Sequence, residues 1–388
     1  MEINKYRIIL IFVISALAAG NDLNITGEVR YRSENFNNFN NALIKNDVDS
    51  YLRTRLNMAF EPINNVGIYL QFQNSRLFGE ETSTLDGSAD NIDLHQGFIS
   101  INNLFDSPLN IDIGRYEVNY GNERLIGGHD WHNVGRSFDG ITIKYENQNY
   151  SYDLFDFRLN DSELFPTIGD KRLLGINTTY SGETYLASAL VINDSDSLIE
   201  LNTADIFFMK KFGGAFIFEG EFALQDGREN GVTKKSQLYS INLSVYDQNV
   251  QLNVGYEFLS GDNSETPDRN ETFNPLYGST HKFNGFMDNY SNIPQYPFDS
   301  GLENIHLGIS ELNIGGVDLE FICHIFNPEF RSENNDEFGI ELDFTFEKIY
   351  NEYVTFSGGC SRFSKGHYLL LPSGDFSSML YFSTTVRF

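Results

Sequence analysis

The sequence predicts an all-β fold, a transmembrane up-and-down antiparallel β-barrel of about 18 strands. Three observations support this prediction. Apolar and polar residues alternate with a period of two along one segment after another, as in strands that face lipid on one side and a polar lumen on the other. Short turn-rich links alternate with long polar segments. Beyond residue 20 no apolar stretch is long enough for a transmembrane helix, although Phe (34) and Tyr (21) are abundant.

The individual strands follow from the alternation. The clearest segments are residues 52–58, 216–222, 239–245, 250–256 and 338–346. Each has one apolar face and one polar or small face, and we find no competing amphipathic helix. About 18 such segments occur in the mature chain, an even number as single-chain bacterial barrels require.

The connections indicate how the strands are joined. Short links rich in turn residues recur at 62–65, 106–108, 147–149, 181–183, 213–214, 247–249, 315–316 and 350–352. Long polar segments lie between them, at 35–48, 77–92, 117–136, 160–171, 193–203, 226–236, 260–300, 327–336 and 363–376. This pattern is typical of the periplasmic and extracellular rims of a barrel. We therefore expect one domain with both termini in the periplasm.

The longest connection, residues 260–300, contains four prolines, which resist pairing into a sheet. A barrel of this size has an open lumen unless something fills it. We expect residues 262–298 to cover or enter the pore mouth.

The first twenty residues have the features of a secretory signal peptide. Lys5 and Arg7 precede an apolar run at 8–19 that is too short to span a bilayer as a helix and ends on small residues. We expect a signal peptide at 1–20 and a mature barrel domain at 21–388.

The last segment, residues 380–388, alternates with Leu380 and Phe382 on one face and Tyr381 on the other. It resembles the final strand of bacterial outer-membrane barrels, which the barrel assembly machinery reads. The resemblance implies recognition through Phe388. The alternative is the last strand of a soluble β-sandwich.

Charge and cysteine content set further bounds. A net charge of −27 argues against nucleic acid as a partner, because a phosphate backbone requires a basic surface. The acidic surplus itself is ordinary for solvated loops. Cys323 and Cys360 fall on predicted strands with one strand between them, roughly 9–10 Å apart, which is beyond disulfide reach.

The densest group of charged residues lies between 113 and 140. Arg115, Arg124 and Arg136 are interleaved there with carboxylates, which are Glu117, Glu123, Asp130 and Asp139. Arginine suits a pore wall because its planar fork binds carboxylates and stays charged. We predict that Arg115, Arg124, Asp130 and Arg136 line the pore. The alternative is a salt-bridged loop without a ligand.

Two stretches resemble the alginate export family. The first is residues 114–127 with 131–140, and the second is 255–262 with 273–288. The resemblance extends over nearly all of the mature chain. It implies an 18-stranded monomeric barrel that passes an anionic polysaccharide or a related solute through an arginine-rich constriction.

The polar faces of the strands divide by charge along the chain. The first half supplies the predicted pore-lining residues Arg53, Arg55, Lys144 and Arg158. The second half supplies carboxylates, at Glu219, Glu221, Glu257, Asp318, Glu320, Glu341, Asp343 and Glu347. One wall of the lumen would be basic and the other acidic, so a zwitterionic, neutral or mixed solute fits at least as well as a polyanion. Arg115 shares a face with Ile113 and needs a bulge near Gly114 to point inward.

No cofactor is expected from the remaining polar groups. His129 and His132 have no third metal ligand at a recognisable spacing. Four acidic residues in the long loop, Asp262, Glu265, Asp268 and Glu271, could bind Ca²⁺ outside the cell but match no known loop motif. Nucleophile-elbow, phosphate-loop and dinucleotide motifs are absent from the sequence.

The sequence thus predicts a non-enzymatic porin or exporter in the outer membrane of a Gram-negative bacterium. It would be a monomer surrounded by outer-membrane lipid, giving passive, charge-selective passage to an anionic or polar saccharide or another small polar solute. Two other classes remain open. One is a membrane enzyme that uses the barrel as a scaffold, and the other is an adhesive or structural barrel.

Overall fold

The structure, a computed structural model, describes residues 23–40, 44–80, 92–161, 169–247, 250–291, 299–330, 337–366 and 376–388. The signal peptide expected at 1–20 lies outside these ranges. Within them the strands are β1 (Asn24–Asn40), β2 (Ile44–Ile63), β3 (Val66–Leu77), β4 (Asp93–Ile101), β5 (Leu109–Tyr116), β6 (Phe138–Asn147), β7 (Tyr150–Asn160), β8 (Lys171–Ser181), β9 (Tyr185–Ser195), β10 (Ile199–Phe212), β11 (Phe216–Glu229), β12 (Val232–Asp247), β13 (Val250–Leu259), β14 (Arg269–Asn270), β15 (Leu302–Ile314), β16 (Val317–Asn327), β17 (Gly339–Ile349), β18 (Val354–Lys365) and β19 (Phe376–Arg387). Two 3₁₀ turns, Leu104–Asp106 and Thr280–Lys282, are the helical elements of the described residues, and no helix among them is long and apolar enough to cross a membrane.

Eighteen of these strands close into one antiparallel barrel, which confirms the predicted fold class. Each wall strand pairs with its neighbours in sequence, and β19 returns to pair with β1. Gly27 and Phe388 exchange backbone hydrogen bonds of 2.7 and 3.1 Å across this closing seam. The two-residue β14 lies outside the wall sequence and runs parallel to β12. Closure leaves no sheet edge, so the backbone polar groups are satisfied where the wall meets hydrocarbon.

The predicted alternation appears as an outer apolar face and an inner mixed face. On β19, Leu380 and Phe382 are 58% and 44% exposed on the outside, whereas Met379 and Tyr381 are buried on the inside. The same parity holds on β2, where Arg53 and Arg55 are buried and Leu56 is exposed. Lipid is the environment that makes such exposed apolar side chains favourable.

Tight connections gather at one end of the barrel, called here the turn end, and the longer segments gather at the other, the loop end. Three connections expected to be long loops are instead mostly strand, at 35–48, 193–203 and 226–236. There the paired strands continue beyond the apolar part of the wall and leave links of two or three residues. The backbone ladder continues because polar side chains also alternate, with Thr203 and Asp205 buried inside the barrel.

Five tyrosines form an aromatic cluster on β6 to β9 at the turn end. They are Tyr145, Tyr150, Tyr152, Tyr180 and Tyr185, with ring centroids 4.8 Å apart for Tyr150 and Tyr180 and 4.9 Å apart for Tyr180 and Tyr185. Tyrosine prefers the boundary between hydrocarbon and water, so this cluster indicates where one membrane surface meets the wall.

The two cysteines are free. Cys323 lies on β16 and Cys360 on β18, opposite Leu342 and Phe344 of the intervening β17. The predicted separation by one strand is confirmed.

A glycine on β6 is required by the close approach of β7. A β carbon at Gly140 would overlap the backbone oxygen of Asp156 and crowd the ring of Phe157. We predict that Gly140→Val lowers the free energy of unfolding by about 1–3 kcal/mol, because the wall cannot widen locally without losing ladder hydrogen bonds. Urea titration of the barrel in detergent measures this.

Gly67 on β3 provides the matched control, since a β carbon there meets only the Ser100 side chain at an ordinary 3.8 Å. Gly67→Val should unfold at the wild-type urea concentration. Equal destabilisation by both valines would show that general strand flexibility, and not the Asp156 contact, requires glycine at position 140.

Candidate functional site

Two segments from the loop end fold back into the lumen. The first inward segment comprises residues 117–137, between β5 and β6, and the second comprises residues 262–291, between β13 and β15. Phe273, Met287 and Tyr290 of the second are at most 1% exposed. The prediction that the long loop enters the pore is therefore confirmed for its described residues.

The two inward segments cross and share backbone hydrogen bonds. The amide of Tyr277 donates to the carbonyl of Leu125 at 2.9 Å, and the amide of Gly127 donates to the carbonyl of Tyr277 at 3.0 Å. The amide of Ser279 donates to the carbonyl of Glu123 at 2.9 Å. This ladder makes the two segments a single unit inside the barrel.

Two further residues fix the crossing. Arg136 donates from Nη1 to the carbonyl of Gly127 at 3.1 Å and also to the carbonyl of Tyr277. Gly278 allows the close approach, because a β carbon there would overlap the backbone oxygen of Arg124. Arg136 thus joins the two inward segments through its Nη1.

Four arginines on β1 and β2 form the basic face of the lumen, namely Arg30, Arg32, Arg53 and Arg55. Arg53 and Arg30 are cross-strand neighbours. Arg53 is almost fully buried, and its Nη2 donates to Glu28 at 2.6 Å. The inward orientation follows from the strand parity, which places every second residue of a strand on the lumen side.

Asp130, from the first inward segment, is held by three arginines of the basic face. Its carboxylate lies 2.8 Å from Arg53 Nη1, 3.3 Å from Arg55 Nη1 and 3.7 Å from Arg30 Nη1. Partial burial raises the pKa of Asp130, but the Arg53 guanidinium and its hydrogen bond lower it more, so the net pKa lies below the usual value. Asp130 is therefore ionised at neutral pH, and protonation in acid weakens its hold on the arginines.

The positive charge of the basic face is compensated within the protein. Four carboxylates pair with its four arginines: Glu28, Glu34, Glu117 and Asp130. The Asp130 side chain remains 62% exposed, so it is the compensating group that a solute can reach most readily. An anionic solute would bind this face only by displacing it.

Trp131, next to Asp130, joins the basic face to both inward segments. Its indole lies 4.1 Å from the guanidinium carbon of Arg32 and stacks on the imidazole of His281 with centroids 4.2 Å apart and planes at 7°. Edge contacts to Phe286 and Tyr381, each 5.1 Å between centroids, complete its surroundings. The Arg32 contact is a cation–π interaction of about 0.5–2 kcal/mol.

The opposite wall carries an acidic cavity of ≈ 510 Å³ between the inward segments and β11 to β17. Arg124 enters it from the first inward segment and pairs with Glu221 at 2.6 Å and Glu257 at 2.7 Å. Its guanidinium carbon lies 3.8 Å from the ring centroid of Phe283 in the second segment. Arg124 thereby anchors both inward segments to the acidic wall.

Other carboxylates of the acidic cavity have no cationic partner. Glu219, Glu320 and Asp343 line it, and within the described ranges no lysine or arginine lies within 4.0 Å of their carboxylates. Glu219 accepts a hydrogen bond of 2.9 Å from Asn242, and Glu320 one of 3.4 Å from Thr345. Among the described residues, these carboxylates are therefore not neutralised by an ion pair with lysine or arginine.

The predicted pore-lining residues divide between the inside and the outside of the barrel. Arg53, Arg55, Arg124, Asp130 and Arg136 lie inside, as described above. Lys144 also faces inward, on β6, where it pairs with Asp112 at 2.7 Å.

Arg115 and Arg158 face outward, and their prediction as pore residues was wrong. β5 pairs with β4 and β6 without a register shift, so the bulge expected near Gly114 is absent and Arg115 shares the outer face with Ile113. Arg115 pairs there with Asp139 at 2.6 Å. Arg158 follows the outward residue Leu154 at even spacing and is 71% exposed.

Arg30 and Arg32 were missed by the sequence prediction. They alternate across Tyr31 as Arg53 and Arg55 alternate across Thr54, so the same two-residue spacing could have identified them. The compensating role of Asp130 had no sequence signal, because it depends on how the first inward segment folds across the lumen.

The two histidines near Trp131 lie close to each other. His129 and His132 have ring centroids 5.8 Å apart. Burial, followed by the charge of Arg136, lowers the pKa of His129 to about 4. Across the described part of the chain no group of three or more His, Cys, Asp or Glu side chains could hold a metal ion.

A closed barrel with a lipid-facing apolar wall and a charged lumen narrowed by inward segments defines an outer-membrane channel of the porin type. The model of the alginate export family matches residues 21–296, and the chain belongs to that family. None of the curated proteins matches the sequence.

Solved outer-membrane structures share the fold. OccK11 (OpdR) of Pseudomonas aeruginosa is 12% identical with a TM-score of 0.64, covering 95% of this chain and 96% of that one. OccK8 (OprE) of the same species is 10% identical with a TM-score of 0.65, covering 95% and 98%. OccAB4 of Acinetobacter baumannii is 12% identical with a TM-score of 0.64, covering 95% and 100%.

The second inward segment can be removed without breaking the wall. The amide of Asp262 donates to the carbonyl of Asp299 at 2.6 Å, so a short turn can replace residues 263–298. We predict that this deletion leaves the barrel folded, judged by heat-modifiable mobility on gels. Its single-channel conductance in planar bilayers should rise, because buried side chains such as Tyr290 leave the lumen.

Arg136→Ala is the milder companion variant, since it removes one side-chain link between the two inward segments and leaves their backbone ladder intact. Its single-channel current should be noisier than that of the wild type, and its conductance should lie between those of the wild type and the deletion variant. Wild-type conductance in the folded deletion variant would mean that the second inward segment does not limit the ion path.

Proposed function

We propose that the protein gives passive, charge-selective passage across the outer membrane to a small polar solute or a saccharide unit. The acidic cavity is the observation that carries this proposal. Its volume of ≈ 510 Å³ falls in the range of small-molecule sites, about 300–1,000 Å³. Polar side chains dominate its lining, which suits hydroxyl and ammonium groups.

The cavity favours solutes that carry positive charge or no net charge. Five carboxylates line it, Glu219, Glu221, Glu257, Glu320 and Asp343, against two basic side chains, Arg124 and Lys282, besides three histidines. A low-dielectric wall concentrates the field of such groups in the lumen. The basic face opposite adds little net potential, since its arginines are paired. A cationic or zwitterionic polar solute therefore fits the lumen best.

An acidic saccharide is the second candidate, and Asp130 is the observation that favours it. Its carboxylate occupies a site made by Arg30, Arg53 and Arg55 that would equally accept the carboxylate of a uronic acid. The name of the alginate export family points the same way. Such a solute would have to replace Asp130 at the basic face.

The orientation and the assembly belong to the same proposal. The loop end would face the exterior and both termini the periplasm, supported by the tyrosine cluster at the turn end and the short connections there. A monomer inserted by the barrel assembly machinery through Phe388 is consistent with the closed wall. Measurable single-channel conductance with solute block separates this function from a barrel enzyme or an adhesin.

We predict that Glu219→Gln combined with Glu320→Gln lowers the preference for cations. Both side chains line the acidic cavity and have no cationic partner among the described residues. Their replacement therefore reduces the negative electrostatic potential in the cavity without breaking an ion pair. Reversal potentials across a KCl gradient measure the effect. Glu200→Gln on the outer face of β10 is the control and should leave the potential unchanged. An unchanged potential in the double variant would exclude the cavity as the selectivity element.

We predict the opposite change for Asp130→Asn. Loss of this carboxylate leaves Arg30, Arg53 and Arg55 undercompensated, so the reversal potential should shift toward anions and block by a uronic acid oligomer should strengthen. Asp106→Asn, in the exposed link between β4 and β5, is the control. Wild-type behaviour of Asp130→Asn would show that a solute does not reach the basic face.

A further inference from the structure

The outer face of β5 to β8 changes from apolar to charged toward the loop end. The tyrosine cluster lies at the turn end of this sector, and above it come exposed apolar side chains, among them Ile113, Leu154, Leu174 and Ile176. Nearer the loop end the outward positions carry Arg115, Asp139, Arg158 and Arg172, which are successive cross-strand partners. We call these four residues the outer charged row.

The outer charged row lies near the outer boundary of the membrane. Arg158 lies eight positions after Tyr150 on β7, which is about 27 Å along a strand. At the usual tilt of barrel strands this is about 20 Å along the membrane normal, close to the top of an apolar band about 25 Å tall. Charged side chains at that depth are costly unless the surrounding lipid offers them polar groups.

Two arginines of the row are fixed by two-atom contacts to a carboxylate, and each has a further guanidinium nitrogen that could donate a hydrogen bond. Arg115 binds Asp139 through Nε and Nη2, at 2.7 and 2.6 Å. Arg172 binds Asp156 through the same two atoms, each at 2.6 Å. Neither Nη1 has a hydrogen-bond partner among the described residues. The third arginine, Arg158, donates from Nη1 to Asp161 at 3.0 Å, and within the described ranges its Nε and Nη2 have no hydrogen-bond partner.

An outward groove beside Arg115 gives the row an apolar neighbour. The groove has a volume of ≈ 450 Å³ and is lined by Leu94, Gly97 and Ile113, with Asp93, Arg115 and Asp139 at its charged end. Gly97 lies opposite Arg115 across the β4–β5 ladder and supplies a floor without a side chain. An acyl chain fits the apolar part while its head group meets the arginines.

We infer that the outer charged row and this groove bind the phosphorylated glycolipid of the outer leaflet through its head-group phosphates. Guanidinium groups bind phosphate by charge-assisted hydrogen bonds, and an arginine already fixed by a carboxylate loses little side-chain entropy on doing so. The arginines of the row already pair with Asp139, Asp156 and Asp161, so a phosphate would bind through the guanidinium donors that these ion pairs leave unused. The binding of lipid is independent of what passes through the lumen.

Native mass spectrometry of the purified full-length barrel tests this inference. The probes are lipid A with its phosphates and lipid A from which they have been removed. The main variant combines Arg115→Gln with Asp139→Asn and Arg172→Gln with Asp156→Asn, because removing both partners leaves no unpaired charge facing lipid. Arg362→Gln is the matched control, an exposed outward arginine on β18 whose guanidinium packs on Phe376.

Wild type and Arg362→Gln should retain phosphorylated lipid A about tenfold better than the dephosphorylated form, the effect of one charge-assisted hydrogen bond. The main variant should lose that difference while keeping its heat-modifiable mobility. If the main variant does not fold, Arg158→Gln alone should reduce the difference measurably.

Equal retention of the two lipids by wild type, an unchanged difference in the folded variants, or a second copy of the chain occupying this face would overturn the inference. The inference rests on the proposed orientation of the loop end toward the exterior, but lipid retention is measured in detergent without transport, so its failure can be distinguished from a failure of the proposed solute passage.

Discussion

The requirement that every backbone polar group be satisfied in hydrocarbon determines this structure. Pairing of β19 with β1 meets it by removing the last sheet edge. Once eighteen strands are closed, the lumen is too wide for wall side chains to fill, and the chain fills it with two inward segments. The positions of Arg124, Asp130 and Arg136 in the lumen follow from that arrangement, because a crossing ladder at Tyr277 holds both segments.

The two sides of the lumen handle charge differently. The basic face is compensated by neighbouring carboxylates, whereas the acidic cavity keeps Glu219 and Glu320 without cationic partners in the described ranges. Arginines alone therefore do not make this lumen attractive to anions. What matters is whether their partners can leave. Glu117 and Asp130 both lie on the first inward segment, and Asp130 is the more exposed of the two.

The strands of the wall could be predicted because the alternation of apolar and polar residues is visible within each short segment of the sequence. The same alternation predicted the inward orientation of Arg53 and Arg55. The outward orientation of Arg115 was implied by the same parity, and the prediction failed because a bulge was invoked to reverse it. Contacts such as that between Asp130 and Arg53 could not be predicted, since they join residues 77 positions apart through a loop without periodicity. The same holds for the crossing of the two inward segments.

The chain contains one tryptophan, and it lies where the basic wall, both inward segments and β19 meet. Its indole is sandwiched between a guanidinium and an imidazole, two groups that affect indole emission. The tryptophan fluorescence of this protein, excited selectively over that of its tyrosines, therefore originates from a single site inside the lumen. Rearrangement of the channel interior can be followed through this emission in the unlabelled native chain, without a tryptophan signal from the lipid-facing wall.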